Sequence, residues 1–111
     1  MIEDRATENL TINCLQSNSE GKLIDFIQQA GEEYNGIIIN PGAYSHYSYA
    51  IMDALADVEI PVVEVHISDV HSREEFRKKL VTSLSSDKLI VGKGFDGYIE
   101  AIDYLQELIN D

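Results

Sequence analysis

A carboxylate and an imidazole two residues apart, Glu64 and His66, are the residues of this chain best suited to move a proton. They lie in Val62-Val63-Glu64-Val65-His66, a run whose β-branched residues read as a strand, and residues i and i+2 of a strand project to the same side. A carboxylate so placed can hold the imidazole in one tautomer and stabilise its protonated form, which prepares a general acid. A buried strand ordinarily excludes both residue types unless they are paired. Ile67 and Ser68 follow at the strand exit, where backbone N–H groups can form an anion nest.

A second polar cluster closes the run Ile37-Ile38-Ile39, which stops at Asn40-Pro41-Gly42, with His46 soon after. Asn40 can offer a donor and an acceptor to hydroxyl groups, and Gly42 lets the backbone approach a ligand closely. Arg73 and Arg77 stand at i and i+4 on a short helix, placed to meet a carboxylate or hydroxyls. Each feature has an ordinary explanation by itself: a strand exit, a surface or capping histidine, solvated helix charges. His71 is read as structural or capping. Gly92-Lys93-Gly94 lacks the rest of a phosphate loop and is read as a turn. Neither HExxH nor paired-cysteine spacing occurs, so no metal is expected.

The elements that must position these groups follow from hydrophobic periodicity. An alternating strand spans 10–15, a polar turn with candidate helix caps spans 16–21, and a helix from Lys22 to Glu33 turns Leu23, Ile24, Phe26, Ile27 and Ala30 to one face. Gly31 and Gly36 punctuate its end. The apolar run 37–40 reads as a parallel strand covered on both faces. A helix over 44–57 carries Ile51, Leu55 and Ala56 inward, and Pro61 opens the strand 62–66. Ser72 caps a short helix reaching about Lys79. A fourth strand spans 88–92, and a closing helix over 97–110 has Ile99, Ala101, Ile102, Leu105 and Leu108 available for packing. Strands alternate with helices throughout, which argues a parallel sheet flanked by helices. Such sheets bind ligands at the carboxyl ends of their strands, where both polar clusters fall.

At 111 residues the chain is expected to be one domain, 1–111. A formal charge of −12 argues against nucleic acid as a partner and requires any anion site to be locally basic. Cys14 is the single cysteine, so no disulfide within the chain is possible, and its alternating context suits a buried thiol. No apolar run approaches the roughly 20 residues of a membrane span. The opening MIEDRATENL is too polar for a secretory signal, so a cytoplasmic location is expected.

Taken together, QSNSEG at 16–21, NPGAYSH at 40–46, EVHIS at 64–68, REEFR at 73–77 and VGKGFDGY at 91–98 resemble the type II 3-dehydroquinate dehydratases, in order and at matching spacing. The resemblance runs from Leu10 to the C-terminus. It implies a flavodoxin-like three-layer fold whose parallel sheet has four strands visible here. It implies a hydro-lyase of the shikimate pathway that dehydrates 3-dehydroquinate through an enolate, without metal or cofactor. The oligomer implied is a dodecamer built from trimers. By resemblance His66 is the general acid for the departing C1 hydroxyl and Glu64 holds it. The backbone of Ile67 and Ser68 would bind the substrate carboxylate, and Asn40, His46 and Arg77 its hydroxyls. Asp53 would reach a neighbouring subunit's site, and Arg73 would lie near the pocket.

Departures from the family pattern are expected to matter. The family's opening strand, its GPNLNLLG-type segment and the lid carrying an arginine and the proton-abstracting tyrosine have no counterpart in this sequence. Tyr34, Tyr44, Tyr47 and Tyr49 stand in no matching context. Asp69 replaces a usual Asn, and Leu80 a typical Ser. The chain is thus expected to keep the acid half of the chemistry. Two readings compete: a non-catalytic dehydroquinate-binding or assembly protein, and a receiver-type signalling domain. The latter needs a phosphoacceptor Asp where this chain has Asn40.

Overall fold

The computed structural model describes residues 15–68, 74–75 and 79–110. Residues 10–14 of the expected first strand, Cys14 among them, lie outside the described residues, as do His71, Ser72, Arg73 and Arg77 of the expected short helix. Leu15 is described and is exposed.

Helix α1 (Glu20–Glu33) starts where Ser19 accepts the Lys22 N–H on its side-chain oxygen, satisfying one of the amides a helix start leaves unpaired. Strand β1 (Ile37–Ile39) follows. The continuous helix expected over 44–57 is instead a 3₁₀ turn, Gly42–His46, and then α2 (Tyr49–Asp57). Ser48 divides them. Its oxygen accepts the Ile51 N–H at 3.0 Å and its hydroxyl donates to the Glu20 carboxylate on α1, so one residue caps α2 and ties it to its neighbour. The inward face of α2 is Ile51, Ala54 and Leu55. Ala56, expected inward, is exposed, because five residues past Ile51 it lies about 140° round the helix.

Strand β2 (Val62–His66) is buried at all five positions. A 3₁₀ turn at Thr82–Ser85 precedes β3 (Lys88–Val91), and α3 (Asp96–Asn110) closes the chain. Among the described residues the three strands form one parallel sheet in the order β1-β2-β3, with Ile39 beside Glu64 and His66 beside Val91. Alternation along the strands then fills two cores. Ile37, Ile39 and Val62 pack with Ile27, Ile51, Ala54 and Leu55 of α1 and α2. Val63, Val65 and Ile90 pack with Ala101 and Leu105 of α3. The result is α/β and three-layered, with helices on both faces. Leu108, expected to pack, is 45% exposed near the end of α3.

The Gly92-Lys93-Gly94 turn joins β3 to α3 with φ of 73° at Gly92 and 58° at Gly94, backbone that side-chain-bearing residues rarely adopt. Beyond it, Lys93 Nζ donates to Glu100 at 2.7 Å and holds that carboxyl below the ordinary carboxylate range. No helix among the described residues is long and apolar enough to cross a membrane.

Ile51 has no exposed surface, so Ile51→Ala should lower the unfolding free energy by about 2–5 kcal/mol through lost burial and a cavity, read by urea titration. Glu100 titrates lower in the folded chain than in the unfolded one, so its contribution is present above the unfolded value and lost as pH falls through the folded one. Glu100→Gln should therefore shift the urea midpoint slightly at about pH 7, and no longer at about pH 3. Because the pair is exposed, about 1 M salt should abolish the shift as well.

Candidate functional site

All three strands run in one direction, so their carboxyl ends share one edge of the sheet. The expected site residues of the described chain gather at that edge, apart from Asp53, which lies exposed on α2. Glu64 and His66 are the closest pair. His66 Nε2 lies 2.7 Å from Glu64 Oε2, with Glu64 fully buried and His66 5% exposed. A carboxylate can only accept, so Nε2 carries the proton and Nδ1 is left to act on a ligand. The other carboxylate oxygen, Oε1, accepts the hydroxyl of Thr82. Two donors thus meet a charge that would be costly to bury alone.

Thr82 is held from outside its own turn. The Val81 N–H donates to the Ser45 carbonyl at 2.7 Å, and His46 Nδ1 lies 2.9 Å from the Lys79 carbonyl, which fixes a proton on that nitrogen. His46 therefore helps to clamp the 79–82 segment against the turn that follows β1. Asn40 begins that turn. Its Oδ1 accepts the Gly42 N–H at 3.1 Å, and its Nδ2 donates to the Tyr98 hydroxyl of α3 at 3.0 Å. The expectation that Asn40 offers its whole amide to a ligand is thus narrowed: one N–H and one lone pair are left. Gly42 holds φ of 60°, with open space where a side chain would start.

Ile67 and Ser68 follow the last ladder position of β2. The Gly92 N–H donates to the His66 carbonyl and the Gly94 N–H to that of Ile67, both at 3.1 Å, so the glycine turn is stitched to the end of β2. Arg73 and Arg77 lie outside the described residues. Among those described, Glu64 and His66 are the one pair of expected site residues joined by a direct side-chain hydrogen bond.

Two participants were invisible to sequence reasoning. Thr82 sits in Val81-Thr82-Ser83, where no periodic signal marks it, and meets Glu64 across 18 residues of sequence. Tyr98 falls inside a recognised segment, but its contact with Asn40 spans 58 residues. A cavity of about 560 Å³ lies away from this edge. It opens at the amino ends of the strands, between Pro61, Val62, Asp87 and Tyr104. The paired carboxylate and imidazole lie instead at the carboxyl edge.

Comparison with known proteins identifies the family. The chain matches the family described as dehydroquinase class II over residues 1–106. It is 49% identical over 111 residues to a 3-dehydroquinate dehydratase of Bacillus cereus (strain B4264), covering all of this chain and 76% of that relative. Over 98 residues it is 54% identical to a 3-dehydroquinate dehydratase of Clostridium botulinum (strain Hall), covering 88% of this chain and 67% of the relative. The crystal structure of a type II dehydroquinase from Butyrivibrio crossotus superposes with a TM-score of 0.86 at 55% identity, over 89% of this chain and 70% of that one.

Removing the buried carboxylate strands two donors at once. Glu64→Ala should lower the unfolding free energy by about 2–5 kcal/mol, measured by urea titration at neutral pH.

Proposed function

This chain belongs to the class II dehydroquinase family, and from that premise we propose that its carboxyl edge dehydrates 3-dehydroquinate to 3-dehydroshikimate, with His66 as general acid. The observation that carries the assignment is the buried Glu64–His66 pair at a strand end. In its charged form His66 keeps Nε2–H on Glu64 and presents Nδ1–H to the C1 hydroxyl. As the C1–O bond breaks, its electron pair leaves with the oxygen, which takes the Nδ1 proton and departs as water. The enolate, left once a base outside the residues named here has taken the C2 proton, supplies the electrons of the conjugated double bond, and His66 is left neutral with Nε2–H still on the carboxylate.

The remaining roles belong to the same reading. The backbone N–H groups of Ile67 and Ser68 receive the substrate carboxylate, and the free amide positions of Asn40 meet a ring hydroxyl together with His46 and Arg77. Arg73 supplies local positive charge in a chain of net charge −12. Asp53, exposed on α2, is available to a neighbouring subunit. On this reading residues 1–111 form one cytoplasmic domain that assembles from trimers, up to a dodecamer. None of these roles calls for a metal or cofactor.

The purified chain should bind 3-dehydroquinate by calorimetry, and its dehydration is followed as absorbance of the conjugated enone. His66→Ala should lower the rate by about 10²–10⁴-fold, the usual worth of a general acid. A wild-type chain that neither turns 3-dehydroquinate over nor binds it by calorimetry would overturn the assignment.

A further inference from the structure

We propose that Thr82 is a positioning residue for the acid. Its hydroxyl holds the Glu64 carboxylate in one orientation, and so determines which nitrogen of His66 carries the transferable proton. The inference rests on the Glu64–His66 reading above. Its first support is the hydroxyl's choice of partner. A threonine in a helical turn commonly bonds a carbonyl three or four residues back. Thr82 instead reaches 18 residues away to Glu64 Oε1.

The second support is exclusion. Thr82 and Glu64 have no exposed surface, so water does not compete for that oxygen. Leu80, two residues away and buried, has no side-chain donor to offer. Preorganisation is the third. The turn bearing Thr82 is clamped by Val81 N–H on the Ser45 carbonyl, by His46 on the Lys79 carbonyl and by the Ser83 hydroxyl on the Leu80 carbonyl. With Oε1 satisfied by a fixed donor, Oε2 stays an acceptor aimed at Nε2, and Nδ1 remains the nitrogen that faces a substrate. Without that donor the carboxylate is free to rotate, and that releases the imidazole from its single tautomer.

The test compares Thr82→Val, which keeps the shape and removes the hydroxyl, with Thr82→Ser, which restores it. Long-range ¹⁵N–¹H correlation spectra of the His66 ring report the tautomer without requiring turnover. Wild type and Thr82→Ser should show neutral His66 protonated at Nε2 alone, and Thr82→Val a mixture or the Nδ1–H form. In the dehydration assay Thr82→Val should lower kcat by about 10–100-fold with KM little changed, the scale of a small misplacement of a reacting group. Thr82→Ser should return kcat to within a few-fold of wild type. A Thr82→Val chain that keeps the Nε2–H tautomer, or a Thr82→Ser chain as impaired as Thr82→Val, would overturn the proposal. Should Thr82→Val not fold, the wild-type Thr82 hydroxyl proton decides: slow exchange with water and a cross-peak to the Glu64 side chain are expected, and their absence rejects the role. If wild type shows the expected tautomer but neither turns over nor binds 3-dehydroquinate, the reaction assignment fails while the Thr82 contact stands.

Discussion

A buried carboxylate, that of Glu64, organises the described part of this molecule. β2 is the middle strand of the three, with every residue hidden, and apolar side chains would make it more stable by burial alone. It carries Glu64 and His66 instead. The structure must therefore deliver donors to both carboxylate oxygens, and they come from opposite directions: the imidazole along the same strand, and the Thr82 hydroxyl from a turn beyond it. The packing around that turn follows from this requirement. Had either donor been missing, a buried carboxylate oxygen would be left without a partner, at a cost to stability.

The parallel sheet explains why the polar residues converge. With all strands pointing one way, every strand exit lies on one edge, and the turn after each strand can contribute to the same place. Asn40 leaves β1 toward α3, while Glu64 lies on the face that packs against α1, α2 and the Thr82 turn. The edge is thus approached from both faces of the sheet. Glycines 42, 92 and 94 make this possible by taking left-handed backbone at the exits of β1 and β3, where the chain must reverse within a few residues.

Much of this was legible before any coordinates. The βα alternation, the two covered strands and the Glu64–His66 pairing all rest on short-range periodicity, which needs only neighbours two to four residues apart. Helix phase was harder. Ser48 could have continued the helix expected over 44–57 or started a new one, and its bond to Glu20 on α1 decides for the latter. Ala56 turns outward for a separate reason, its offset from Ile51 around the helix. Thr82 and Tyr98 were unreadable for a related reason. Their partners are fixed by tertiary contacts across 18 and 58 residues, and a single hydroxyl in a short turn leaves no periodic trace.

Those same long spans bear on the order in which the molecule can assemble. The helices α1, α2 and α3 depend on contacts within a few residues. The carboxyl edge depends on closing large loops: Asn40 to Tyr98, Ser45 to Val81 and Glu64 to Thr82. Loop closure costs entropy before any contact repays it, so non-local pairings are slow to form. The carboxyl edge thus depends on non-local closures, as does the parallel sheet, which pairs Ile37 with Val62 and Val63 with Lys88. A partly folded chain with its helices in place would bury much of its apolar surface and still hold no ordered acid.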